Sequence, residues 1–132
     1  MKVVLDTNIF ISGIFWQGNP HKILRAWREG YITLVSSLDA ISELAKVLGD
    51  FKMQLPDKDM RNWINMIVQN AEMVEPTEKI DVVKDDPSDN LFIEIAVTGN
   101  AKYIVSQDNH LLKLKKFNDI RIITPEEFMK LL

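Results

Sequence analysis

The sequence predicts an α/β protein, a three-layer α/β/α sandwich whose central, mainly parallel sheet has about four to five strands. Three observations carry that expectation. Short apolar runs rich in β-branched residues recur along the chain: Val3-Val4-Leu5, Tyr31-Ile32-Thr33-Leu34-Val35, Tyr103-Ile104-Val105-Ser106 and Arg121-Ile122-Ile123. They have the unbroken apolar character of strands buried on both faces. Segments with helical spacing and helix-capping residues lie between them. The alternation persists to the last residues, and strand–helix–strand units close as right-handed parallel crossovers.

Taken in order, Lys2–Leu5 reads as a first strand, with Asp6-Thr7-Asn8 as an Asx turn closing it. Asn19-Pro20 supplies an N-cap and a proline at the first helical position, and Gly30 a stop, so a helix of roughly ten residues is expected. A strand over 31–35 follows, then a helix capped by Ser36-Ser37 and running through Gly49. After Pro56, Asp57 opens a longer amphipathic helix carrying Met60, Trp63, Ile64, Ile67 and Val68 on one stripe. Met73–Pro76 reads as a short strand, and 77–87 as a connection that is polar apart from Ile80, Val82 and Val83. Pro87-Ser88 opens a helix that is apolar nearly all round from Leu91 to Val97 and stops at Gly99-Asn100. The strand Tyr103–Ser106, a short helix around Leu111–Leu114, the strand Arg121–Ile123 and a helix capped by Thr124-Pro125 complete the chain. With 132 residues and no repeat or linker to divide them, one domain over 1–132 is expected.

Composition narrows the function. An apolar share of 46% with 27% charged residues describes an ordinary soluble protein. The absence of cysteine excludes disulfides, thiolate metal sites and a cysteine nucleophile, and permits a reducing compartment. No export signal stands at Met1-Lys2, and no run approaches the ~20 apolar residues that span a bilayer, so a cytoplasmic protein without a membrane partner is expected. A net charge of −3 gives a whole-molecule field that does not attract a polyanion, so any nucleic-acid contact must be local. The basic ground is Lys113, Lys115 and Lys116 late in the chain, and His21, Lys22, Arg25 and Arg28 on the first predicted helix. Solvated charge is the other reading of both groups.

Five dispersed acids, Asp6, Glu43, Asp86, Asp89 and Asp108, occupy positions that this fold would bring together. Asp6 and Asp108 follow apolar strands, and open α/β sheets bind ligands at the carboxyl ends of their strands. Each acid also has a structural reading. Asp6 and Asp108 suit Asx turns, and Asp86 and Asp89 flank a helix start where capping and the helix dipole are worth roughly 0.3–2 kcal/mol. Glu43 lies off the stripe of Ile41, Leu44, Ala45 and Leu48, where it would be solvated or paired with Lys46, so it joins the others only if that helix, with Ser37 at its start, points its N-terminus at the site. Jointly the acids mean more. Two unit charges about 4 Å apart repel by ~1 kcal/mol in water and ~4 kcal/mol near a protein surface, so a converged set needs a cation. With no cysteine and only His21 and His110 as imidazoles, Mg²⁺ or Mn²⁺ is favoured over zinc. Carboxylate-held ions of that kind leave room for water and a phosphate oxygen, the setting of phosphodiester hydrolysis.

These residues, in this order, resemble a PIN-domain ribonuclease of the toxin–antitoxin, VapC-like kind. The resemblance rests on Val3-Val4-Leu5-Asp6-Thr7-Asn8, Ser42-Glu43-Leu44, Asp86-Pro87-Ser88-Asp89-Asn90 and Tyr103-Ile104-Val105-Ser106-Gln107-Asp108, and spans nearly the whole chain. It implies a Mg²⁺- or Mn²⁺-dependent endoribonuclease acting on RNA, often the toxin of a toxin–antitoxin pair with an antitoxin protein as partner, and often a homodimer. By likeness, Asp6, Glu43, Asp89 and Asp108 form the acidic set around the metal and Asp86 is an auxiliary carboxylate. Thr7, Asn8 and Ser106 support them, Asn8 and Ser106 by orienting the ligands; turn chemistry is the alternative for all three. Lys22, Arg25, His110 and Lys113 are the candidate substrate contacts. One departure stands out: where the family commonly has glycine just before its last motif aspartate, this chain has Gln107, a side chain expected to crowd the turn.

Two other enzyme or signalling classes fit less well. A haloacid-dehalogenase-like phosphatase needs a second aspartate two places after the first, and Asn8 stands there; a phosphate-accepting receiver domain needs an acceptor aspartate where Ser36-Ser37 stand. The remaining rival is a PIN-like module, catalytically weak or inactive, that binds RNA or a partner protein.

Overall fold

A computed structural model describes residues 1–51 and 53–132. Six strands form one sheet in the order β3-β2-β1-β4-β6-β5: β1 Lys2–Leu5, β2 Thr33–Ser36, β3 Glu72–Met73, β4 Tyr103–Val105, β5 Lys116–Phe117 and β6 Ile120–Ile123. Every pairing is parallel except β5 with β6. Among the described residues, seven helices surround it: α1 Thr7–Phe15, α2 Asn19–Arg28, α3 Leu38–Gly49, α4 Asp57–Asn70, α5 Asn90–Gly99, α6 Asn109–Leu112 and α7 Pro125–Met129.

The strands alternate their side chains between two apolar layers, which makes the sandwich. Val3, Leu5, Leu34, Val105 and Ile123 face one layer with residues of α1, α2, α3, α4 and α7, while Val4, Val35, Ile104 and Ile122 face the other with α5 and α6. Gly99 ends α5 in direct contact with Val35, leaving no room for a Cβ there.

The expected sandwich is present, with a larger sheet than four to five strands. The additional strand β5 is a two-residue edge folded back on β6 through Asn118, whose φ of 51° suits asparagine. The Asx turn expected after β1 is the start of a helix: Asp6 caps α1 by accepting from the Ile9 N–H at 3.0 Å. With Ile9, Phe10, Ile11 and Gly13 buried, α1 lacks the polar face that would have betrayed it as a helix. Strand β2 begins two residues later than expected, because the Tyr31 N–H still bonds to Ala26 O across the turn at Gly30, leaving Tyr31 exposed. Strand β3 pairs through Glu72 and Met73 and stops before Pro76. Among the described residues, no helix is long and apolar enough to cross a membrane.

Candidate metal centre

Parallel pairing of β1 with β4 sets Leu5 opposite Val105, so Asp6 and Ser106 leave the sheet side by side at its carboxyl edge. The fully buried Ser106 hydroxyl donates to Asp6 Oδ2 and accepts from the Asp108 N–H at 2.9 Å, tying the first acid to the last. Asp108 caps α6, its Oδ1 accepting from the His110 N–H at 2.8 Å. Asp6 and Asp108 therefore have both structural bonds and a common address.

Asp86 and Asp89 are brought to the same group by a short 3-10 turn, Pro87–Asp89, that Asp86 precedes. Buried Asn90 positions that turn. Its side-chain oxygen accepts from Val82 N (2.9 Å) and Val83 N (2.8 Å), while its amide donates to Pro87 O (3.0 Å) and Val83 O (3.4 Å). Buried Glu94 accepts from Ile80 N at 3.0 Å, fixing the start of the same connection. In this frame Asp86, Asp89, Asp108 and His110 each present one ligand atom, all within 4.8 Å of one another.

The capping alternative fails for both acids of the turn. Asp89 forms no capping bond, and Asp86 bonds the Ser88 hydroxyl (2.6 Å) rather than a backbone N–H. Asp89 Oδ2 is enclosed by protein and, among the described residues, has no hydrogen-bond partner. An enclosed carboxylate oxygen without a donor is costly. Burial, then the neighbouring Asp108, then the charges of Asp86 and Asp6, push Asp89 up to about 8. Burial likewise pushes Asp6 up to about 6, partly offset by hydrogen bonds from Ser106 and Ile9. Burial also acts upward on Asp108, but the adjacent Asp89 carboxyl, the His110 N–H and the nearby imidazole outweigh it and hold the group below its ordinary 3.8. One protonated and one ionised carboxyl thus stand together where a cation would satisfy both. Three carboxylates are hard oxygen donors compatible with Mg²⁺ or Mn²⁺, and the His110 imidazole stands beside them as the one nitrogen of the group.

Other expected site residues are spread more widely. Glu43 is exposed on α3, outside the close group, and among the described residues its hydrogen bond is with Thr7, whose hydroxyl donates to Glu43 Oε2 at 3.4 Å. Ser37 caps α3 as expected, accepting from Ala40 N at 3.2 Å. The Asn8 side chain is exposed, and this residue acts on Asp6 through its backbone N–H rather than through the amide expected to orient ligands. Lys22 and Arg25 are exposed on α2, which packs against α1 and α7. Lys113 pairs with Asp85 beside the site. His110, expected as a substrate contact, stands among the acids, its Nδ1 3.6 Å from Asp108 Oδ1 and 4.0 Å from Asp86 Oδ2. Gln107 does not crowd the turn: its φ is not positive, its side chain is exposed, and Ser12 Oγ lies 3.4 Å from its Oε1. Asn90, Glu94, Ser88 and Asp85 had no role from sequence. Asn90 entered the sequence reading only as the last residue of the motif Asp86-Pro87-Ser88-Asp89-Asn90.

A parallel α/β sandwich with a carboxylate cluster at the carboxyl edge of its central strands defines the class as an acidic-site α/β domain. The chain belongs to the PIN domain family, whose sequence profile matches residues 2–110. It is 30% identical over 148 residues to uncharacterized protein MJ1680 of Methanocaldococcus jannaschii, covering 98% of this chain and 90% of that protein. Its fold is similar to VapBC-1 of nontypeable Haemophilus influenzae, with a TM-score of 0.63, 20% identity, and 96% of this chain and 99% of that one covered. It is also similar to VapBC2 of Rickettsia felis, solved bound to a DNA fragment from its promoter, with a TM-score of 0.62, 14% identity, and 94% and 98% covered. PAE2754 of Pyrobaculum aerophilum gives a TM-score of 0.61 at 11% identity, covering 98% and 88%.

Proposed function

We propose that this protein is a Mg²⁺- or Mn²⁺-dependent endoribonuclease, a single PIN-like domain that hydrolyses RNA phosphodiester bonds as the toxin of a type II toxin–antitoxin pair. The observation carrying this reading is the enclosed, unpartnered Oδ2 of Asp89 beside Asp108 and Asp86. Asp86, Asp89 and Asp108, with Asp6 beside them, would hold the metal, and Glu43 would stand at the rim. When bound, the ion supplies Lewis-acid polarisation of the scissile phosphate and a lowered pKa for water.

The chain's own groups do the rest. Ser106 keeps Asp6 and Asp108 aligned, fixing two ligands by one hydroxyl. Thr7 tethers Glu43 from the first turn of α1. Asn90 and Glu94 set the height of the connection that carries Asp86. Asp89, held neutral by its surroundings, would have to release its proton to serve as a ligand. His110, beside the carboxylates, and Lys113, paired with Asp85, are the candidate contacts for substrate phosphate in this reading. The VapBC fold likeness supports an antitoxin as partner, and a cytoplasmic homodimer completes the reading.

Cleavage of a panel of single-stranded RNAs tests it. Product is expected with Mg²⁺ or Mn²⁺ and none with EDTA; RNA retained uncut with either ion would contradict the nuclease and leave a binding module.

A further inference from the structure

We propose that the groove between α6 and the β5–β6 hairpin holds the phosphate backbone of a single-stranded RNA as it leaves the carboxylate cluster. This rests on the nuclease reading for its substrate and extends it to a strand path.

The groove encloses about 850 Å³, with Leu112, Leu114 and Ile122 on its apolar lining and Lys115, Lys116 and Arg121 as its cations. From Asn109 to Thr124 four cationic side chains stand against one acid, Asp119, in a chain whose net charge is −3. A molecule repulsive to polyanions as a whole therefore has one cationic edge. Among the described residues, none of the three groove cations has a carboxylate within 4.0 Å, whereas Lys113 is committed to Asp85. Arg121 rests over the Tyr103 ring at 5.9 Å. The one acid in the lining, Glu127, is turned onto Thr124, accepting from its N–H at 3.2 Å and its hydroxyl at 3.1 Å.

The lysines are held in place by backbone. Lys115 adopts a φ of 62°, a left-handed conformation that a lysine rarely takes. Its N–H bonds Leu112 O at 3.1 Å and its carbonyl accepts from Ile122 N at 2.9 Å, clamping the turn between α6 and β6. Strained backbone over-determined by its surroundings often marks a functional segment.

Two links join this groove to the acids. Leu112 lies in α6, the helix that Asp108 caps, about 6 Å along its axis from the cap. Thr124 follows Ile123, whose carbonyl accepts from the Ser106 N–H at 3.0 Å. A strand cut at the acids that turns along this side enters the groove directly, phosphates toward the lysines and bases toward the apolar lining. That continuity favours RNA over an acidic peptide.

The test is the charge-reversal variant K115E/K116E/R121E, with K58E/R61E on α4 as control, each checked for an unchanged melting curve. Binding of a fluorescent single-stranded RNA is followed in EDTA across salt concentration. For the triple variant, affinity at low salt should fall at least about tenfold and the log–log salt slope should flatten by about 2, with the control unchanged. Unchanged RNA affinity and slope, no RNA binding by the parent, or loss of poly-glutamate binding alone would overturn the groove, even if metal-dependent cleavage is normal. Loss of RNA affinity in a parent that never cleaves would uphold the groove while refuting the nuclease.

Discussion

Asp89→Asn should abolish RNA cleavage, lowering the rate at least about 10²-fold, while leaving the fold intact and raising the stability of the metal-free protein. Both effects follow from the same geometry. Asparagine keeps the shape but removes a charge that faces Asp108, Asp86 and Asp6, and no cap is lost because Asp89 forms none. Relief of about 1 kcal/mol at pH 8 would raise Tm by ~4 °C in a chain of this size. The measurements are single-turnover cleavage in Mn²⁺ and a thermal melt in EDTA. A variant that cleaves like the parent would remove Asp89 from the site, and a Tm lower by many degrees would restore its capping role. Asp6→Asn should also stop cleavage but without the gain in stability, since Asp6 caps α1 and accepts from the Ser106 hydroxyl.

The second large effect is on pH dependence. Metal-free protein should lose stability as pH rises from 5 to 8.5, and Mn²⁺ should restore it at the alkaline end. The sign follows from proton counts. In the unfolded chain Asp6 and Asp89 titrate near 3.8, but in the fold they hold their protons to about 6 and about 8. Between these values the folded state binds more protons, so raising pH favours unfolding. For buried Asp6 the difference amounts to ~3 kcal/mol once pH exceeds 6; Asp89, only half-buried, acts in the same direction with solvent screening reducing its share. Asp108 works the other way, its stabilisation being lost at acid pH as it protonates. Melts across this range in EDTA and in Mn²⁺ decide the matter. Metal-free stability that rises towards pH 8 would show that the acids are compensated by something other than a cation.

How much of this was readable in the chain differs between fold and site. The parallel α/β frame was legible because β-branched runs and capping residues are local signals: Ser37, Gly30 and Thr124 sit where their chemistry predicts, whereas α2 starts one residue early, capped by Gly18 with Asn19 inside the helix and Pro20 in its first turn. Helix α1 was hidden because Asp6 followed by a polar pair suits a turn as well as an N-cap, and the helix is too buried to show amphipathic periodicity. Strand β5 was hidden because two residues carry no period. Within the site, Asp6 with Ser106 could be expected once β1 and β4 were neighbours. The close approach of Asp86, Asp89 and Asp108 depends on Asn90 bonding backbone seven and eight residues upstream, which no periodicity encodes. The charge of Lys22 and Arg25 can likewise be read from sequence, but the direction the α2 face takes is set by what it packs against.

Calorimetric titration of Mn²⁺ into metal-free protein at pH 7, in two buffers of different ionisation enthalpy, tests the cation-requiring carboxylate cluster most directly. The parent should bind the ion and release close to one proton, the one held by Asp89, and Asp89→Asn should bind at least about tenfold more weakly without that release. Absence of binding by the parent, or equal binding and proton release by both proteins, would contradict it.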